Sequence, residues 1–315
     1  MSVTLQIMAE LLFAPEYDQP ISYIQRTRSY YLGLGYDKPY VWAHYTDVPF
    51  IPLQKPLQNS VIGLITTAVP FDPLKGDQGP GASYNAHAKF YEPYALASKS
   101  NPDLRIAHVG IDRKHANMAE MACWFPLEVA RRAADCQRIG KVAERFYGLP
   151  TNRSQRHTLE IDAPQILANC RDDGVDLAIL VPNCPICHQS IALLARYLEG
   201  AGIPTVVIGA AKDIIEYCGV PRFVFNDFPL GNAAGRPGDP ESQNAIFELA
   251  LMLLERAPAP RTTIQSEFPW SSDPSWKLDY MNIERLSDVE LAKLRLEAET
   301  ARIAAKEIRL KTVGK

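Results

Sequence analysis

A chain of 315 residues, 47% hydrophobic and 22% charged, can bury a sizeable core in one large domain or two lobes. Its net charge is −3 and no Lys/Arg run breaks the polar surface, which excludes the electrostatic footprint of a nucleic-acid or acidic-membrane binder. The longest apolar runs have strand length, so no membrane span is expected. The first residues lack the basic-then-apolar order of an export signal, and a cytoplasmic protein is expected.

Residues 1–55 read as an N-terminal arm rich in aromatics and prolines, with a short helix over 21–34 and an extended stretch over 36–45. A first α/β lobe is expected over 56–150. Its strands are 61–67 and 104–110, and its helix is 125–135. A second lobe over 151–257 alternates more regularly. Helices are expected at 162–173, 191–200, 211–218 and 240–256. Strands are expected at 176–182, 203–209 and 222–226. Apolar runs of strand length between helices imply a parallel sheet covered on both faces, so the fold class is α/β with Rossmann-like lobes. Residues 258–282 read as a linker. The tail, 287–310, reads as a helix opened by a Ser287/Glu290 capping box. Leu291, Leu294, Ala298, Ala301, Ala305 and Ile308 form a short heptad seam along it, suited to docking on the chain itself or to subunit contact.

Of the six cysteines, Cys123, Cys136, Cys170 and Cys218 are scattered singly, which is not a secreted disulfide framework. Cys184 and Cys187 are different. They stand in Asn183-Cys184-Pro185-Ile186-Cys187-His188, between an expected strand and an expected helix. The unpaired N–H groups of a helix N-terminus stabilise an anion, so a thiol there ionises more readily. A second thiol three residues on can resolve a mixed disulfide. Cys184, at the strand's carboxyl end, is the expected attacking thiol and Cys187 the resolving one. CysProIleCysHis also matches c-type haem attachment, which requires export. A zinc site would need His188 and a distant ligand in addition, and no metal is expected. A purely structural pair is the remaining alternative.

The run ValAspLeuAlaIleLeuValProAsnCysProIleCysHisGln from 175, with AlaGlyIlePro at 201–204, resembles the B component of glycine, sarcosine and betaine reductases. So do Pro52-Leu-Gln-Lys-Pro-Leu before the first strand, AspLeuArgIleAlaHisValGlyIleAsp at 103–112, PheProLeuGluValAlaArg at 125–131, the 138–147 segment and PheProLeuGlyAsn from 228. The resemblance covers about residues 50–255 with motifs in the same order. It implies reductive cleavage of a carbon–heteroatom bond in a small substrate. Aligned on that family's U-x-x-C-x-x-C run, Cys184 stands at the selenocysteine, Cys187 at the next cysteine and Ser190 at the third position. The family's B component works with a pyruvoyl-bearing partner subunit, so the resemblance implies a homo- or hetero-oligomer and a pyruvoyl group on a partner chain, with no cofactor in this chain beyond the dithiol.

The resemblance also points to His108 and Asp112 as catalytic residues, His108 as acid or base near working pH. Thr66 and Thr67, ending the first strand, are candidates to bind a carboxylate or simply to cap a turn. His188 is a candidate to stabilise a thiolate as imidazolium, or a solvated residue at the helix start. The Gly-rich loop 229–238 offers Asn232 and Arg236, the latter suited to bidentate carboxylate binding, or is an ordinary Gly/Pro turn. That loop is neither a Walker loop nor a dinucleotide fingerprint, so no nucleotide is expected. Trp42, His44 and Tyr45 of the arm can cover the site or a partner. The expected activity is a thiol-dependent reductase reset by a thioredoxin-like donor. The alternatives are a cofactor-free two-thiol racemase, which would need a second cysteine where Thr66 and Thr67 stand, and a non-catalytic redox-sensing subunit.

Overall fold

The computed structural model describes residues 19–313 except 80, 81, 83, 84, 86, 87, 107 and 153, with side chains omitted at 301, 302 and 304–313. The heptad positions Ala301, Ala305 and Ile308 therefore lie outside the described side chains, as the first 18 residues lie outside the described chain.

Among the described residues, the central sheet is built of β1 (Val61–Thr66), β3 (Tyr94–Ala97), β5 (Lys141–Val142), β6 (Arg145–Gly148), β7 (Leu177–Val181), β8 (Thr205–Gly209), β9 (Arg222–Phe225) and β10 (Thr262–Gln265). Their order is β10-β9-β8-β7-β1-β6-β3, with the short β5 also pairing with β1. All pairings are parallel except β3 against β6. The α/β class with a mostly parallel sheet agrees with the sequence reading. The strands expected in separate lobes share this sheet, because Ile62–Thr66 of β1 pair directly with Leu177–Val181 of β7.

Both faces of the sheet are covered, which is why its strands read as unbroken apolar runs. Ile62, Leu64, Leu177, Ile179 and Val181 point into one core. There they meet α2 (Leu127–Asp135) and α6 (Pro240–Arg256). Ile65, Ala178, Leu180 and Val207 point into the other, against α3 (Ala163–Asp172), entered through a π-helical turn at Thr158–Asp162, and α4 (Pro185–Gly200). The short α5 (Lys212–Cys218) follows β8.

Several boundaries differ from the sequence reading. The run 104–110 yields only β4 (Leu104–Arg105), which pairs antiparallel with β2 (Val69–Pro70) in a separate ribbon. The place beside β1 is taken by β6, so the rest of the run is free to loop over the site. The linker 258–282 contains β10, an edge strand legible only through its partner β9. The arm's helix is α1 (Tyr23–Gly33). The tail is α7 (Asp288–Val313), and its capping box is formed: Glu290 N–H donates to Ser287 Oγ at 3.3 Å and Ser287 N–H to Glu290 Oε2 at 2.8 Å. No helix among the described residues is long and apolar enough to cross a membrane.

Candidate active site

After β1 the chain leaves toward β6, and after β7 it leaves toward β8, on the opposite side. The carboxyl ends of these two adjacent strands form the switch point of the sheet, the position where open α/β sheets bind ligands. Cys184 and Thr67 lie there. Thr67 Oγ1 accepts from both the backbone N–H and the Nδ2 of Asn183, each at 3.2 Å, and so ties the end of β1 to the turn that carries the thiols. Thr66 Oγ1 accepts from Ala68 N–H at 3.1 Å. Both hydroxyls are buried and neither threonine lines the cavity described below. Thr66 makes the turn-capping contact, the second of its two readings, and Thr67 holds Asn183.

Cys184 is the N-cap of α4, in extended backbone conformation, and Pro185 follows at the first helical position. Proline there has its φ preset and loses no needed donor. Cys184 Sγ accepts from Cys187 N–H at 3.2 Å, the bond a serine or aspartate cap would make. Cys184 and Cys187 form a disulfide, with Cα atoms 4.8 Å apart. Cys184 opens on the cavity, whereas Cys187 is fully buried in the first turn.

The cavity has a volume of about 310 Å³. One wall is the thiol turn and another is the 108–110 loop. The roof comes from α1 and the arm and includes Tyr31, Tyr36, Lys38, Tyr40 and Trp42. Of the three arm aromatics Trp42, His44 and Tyr45, Trp42 lines the cavity. His44 instead stacks on Tyr217, and Tyr45 lies under Arg196. The arm is held down on α4: Ala43 N–H donates to Gln189 Oε1 at 2.7 Å, and Gln189 Nε2 donates to the Tyr40 hydroxyl. Composition announced these aromatics, but their contribution to the cavity depends on a contact 146 residues away in sequence, beyond any local pattern.

His108 lines the same cavity. Its loop is clamped by Arg113, which donates to the His108 carbonyl at 2.8 Å and the Val109 carbonyl at 3.1 Å. Gly110 permits close approach to the thiol turn, since a Cβ there would stand 2.7 Å from Pro185 Cδ. Among the described residues, the buried His108 Nδ1 has no hydrogen-bond partner. Burial, with Lys89 and Arg113 nearby, pulls its pKa down to about 3, so the imidazole is neutral beside the disulfide. A Cys184 thiolate would draw the pKa back up by opposite-charge attraction.

The other candidates do not join this constellation. Asp112 faces a smaller cavity with Lys114 and Asp279, and its Oδ1 accepts from Lys114 and His115 N–H at 3.2 and 3.1 Å. It shapes the loop beyond His108. Asn232 clamps Asn117 with bonds of 2.9 and 2.8 Å, and Arg236 pairs with Asp239 at the start of α6 and lies over Phe268. These polar groups hold the loop, and neither Asn232 nor Arg236 lines the cavity.

His188 does not line the cavity either. It is fully buried, donates from Nδ1 to the Cys184 carbonyl at 2.8 Å and accepts at Nε2 from Ala210 and Ala211 N–H at 3.0 and 3.1 Å. It welds the thiol turn to the start of α5, and burial pulls its pKa from 6.5 down to about 4. A depressed pKa contributes stability that is complete above 6.5 and is lost as pH falls through about 4, where the folded state finally takes the proton. His188→Ala orphans two buried N–H groups and should cost about 2–4 kcal/mol. Urea unfolding above pH 6.5 and near pH 4 should also show a weaker acid dependence in the variant than in the parent. Equal slopes would mean that this histidine is not the buried neutral group described.

Comparison with known proteins gives the class that the motifs resemble: subunits of amino-acid reductase complexes. The chain is a homologue of the gamma subunits of D-proline reductase and of glycine reductase complex component B, at 23–29% identity over about two thirds of its length. It is 29% identical over 209 residues to the D-proline reductase subunit gamma of Acetoanaerobium sticklandii, covering 66% of this chain and 84% of that one. It is 28% and 26% identical to the component B subunits gamma of Carboxydothermus hydrogenoformans and Symbiobacterium thermophilum, again over 66% of this chain. The chain spans about half the length of these glycine reductase subunits, 48% in each case. No family model matches the chain, and no solved structure does.

Proposed function

We propose that this chain is the thiol-bearing subunit of a reductase complex that cleaves a carbon–heteroatom bond in a small amino-acid-like substrate. The observation that carries the reading is the placement of Cys184: an N-cap thiol at the sheet's switch point, open to an aromatic cavity, with a second thiol behind it. Homology to reductase subunits supports the reaction class. Lys38 and Lys89, which line the cavity together with aromatic rings, suit a substrate with a carboxylate and an amine.

In the proposed cycle Cys184 thiolate attacks the substrate carbon, forming a C–S bond while the heteroatom leaves with its bonding pair and takes a proton. Cys187 thiolate then attacks Cys184 Sγ. The S–S bond forms, the C–S bond breaks, and carbon keeps the electron pair and is protonated. The sum is R–X plus two thiols giving R–H, HX and the disulfide. A thioredoxin-like dithiol resets the pair. His108, drawn toward the protonated state by the thiolate, is the group placed to move a proton here. A partner subunit completes the complex, as the names of the relatives suggest.

The test is alkylation of the reduced chain across pH, with each cysteine mapped by mass spectrometry. Cys123, Cys170 and Cys218 are buried, which pushes each thiol up to about 12. Cys136 is exposed and is the internal reference. Cys184 should react at a pH well below that at which Cys136 does. Equal rates at every pH would sink the proposal.

A further inference from the structure

One ring nitrogen of His108 and the two sulfurs of Cys184 and Cys187 all lie within 4.8 Å of one another. We propose that in the reduced chain these three residues bind a zinc ion, with the fourth coordination position open to the cavity, and that formation of the disulfide expels it. This goes beyond the reductase reading, with which it shares both thiols and His108 but no substrate.

The geometry needs little adjustment. Tetrahedral bonds of about 2.3 Å to sulfur and 2.0–2.1 Å to nitrogen set ligand atoms roughly 3.5–3.8 Å apart. Breaking the S–S bond lets the sulfurs separate to that range, and the histidine has about an ångström to close. The ligand types suit a borderline-soft cation rather than magnesium or calcium.

The charges also fit. Lys89 and Arg113 bear on His108 and the start of α4 lies at Cys184, so a lone cation is disfavoured there. Two thiolates cancel the charge of the ion, which makes binding conditional on both thiols being reduced. An imidazole nitrogen is an ordinary ligand for this ion, and the buried His108 Nδ1 has no hydrogen-bond partner among the described residues. His188, adjacent in sequence and the obvious ligand by spacing, is excluded because both its nitrogens are held by backbone. Three protein ligands beside a cavity match the pattern of zinc sites that keep an exchangeable position.

The steps balance. A dithiol reductant delivers two electrons and two protons to the disulfide, giving two thiols. Zinc displaces those two protons. A disulfide-bearing oxidant later takes two electrons from the two bound thiolates by exchange, the S–S bond re-forms, and zinc leaves as the free ion.

The experiment uses the full chain, reduced anaerobically, titrated with zinc against a chromophoric chelator and with cobalt as a spectroscopic probe. The expected result is one equivalent of zinc, a thiolate-to-cobalt charge-transfer band, and full release when a small disulfide oxidant is added. Cys184→Ser and His108→Ala should each weaken binding by about a hundredfold or more, whereas His157→Ala should not. X-ray absorption at the zinc edge of the parent chain gives an answer independent of variant folding: two sulfur neighbours at about 2.3 Å plus nitrogen support the site. A shell of light atoms only, binding unaffected by His108→Ala, or zinc retained by the oxidised chain overturns it. The alkylation result stands apart: a fast Cys184 in a chain that binds no zinc removes the metal site and leaves the reductase reading intact.

Discussion

Cys184→Ser should abolish thiol-dependent reduction, a loss on the order of 10³-fold or more, as when a covalent nucleophile is removed. Cys187→Ser should stop turnover equally but at a later point. The two thiols are unequal in access. Cys184 lines the cavity, whereas Cys187 is fully buried behind it and does not. A substrate meets Cys184 first, and Cys187 reaches only Cys184. The Cys187→Ser chain should therefore accumulate a covalent adduct on Cys184 that intact-mass spectrometry detects, and a small added thiol should release it. The Cys184→Ser chain should form none. The assay supplies glycine or D-proline, partner subunits of the homologous complexes and a dithiol reductant. An adduct on Cys187 in the absence of Cys184 would reverse the assigned order.

Much of the frame was legible in the sequence because it rests on local signals. The β7–α4 turn is announced by an apolar strand, then Asn183, then a proline at the first helical position. Each is a one-turn effect, so the placement of Cys184 and Cys187 could be read directly. The polar candidates fared differently. Asn232, Arg236 and His188 are residue types that serve a substrate or a loop equally well, and only their partners decide between the two. Asn117 and the backbone of 210–211 are brought in by tertiary packing, and Asp239, three residues from Arg236, becomes its partner only through the shape of the loop before α6. The roof of the cavity was hidden for a related reason. Residues 36–45 have no regular secondary structure, so no periodicity marks which aromatics turn inward. β10 was missed because edge pairing with β9 imposes a strand on a stretch whose composition reads as loop.

Arg222→Met should destabilise the chain by about 3–5 kcal/mol, the cost of leaving a buried charge unpaired. That corresponds to a fall in Tm of roughly 10 °C. Arg222 and Glu199 are both fully buried and paired at 2.9 Å. The pair also anchors the arm. Glu199 accepts from Ile51 N–H and Arg222 donates to the Ile51 carbonyl, while the guanidinium lies over Phe50. Glu199 accepts from Thr205 N–H as well, so one carboxylate joins α4, β8 and the arm. Burial raises the Glu199 pKa and Arg222 opposes that rise. Removing the arginine therefore moves the pKa higher still. A raised folded-state pKa gives stability below the unfolded value that is lost as pH rises through the folded one. The deficit of Arg222→Met should accordingly be largest at neutral pH and shrink on acidification, as Glu199 takes a proton and no longer needs a partner. Calorimetry or urea unfolding of parent and variant across that range reads the difference. A deficit that stays constant with pH would assign the loss to packing against Phe50 rather than to the charge. The same variant should also weaken substrate binding, because Phe50 and Ile51 fasten the arm whose Tyr40 and Trp42 roof the cavity above Cys184.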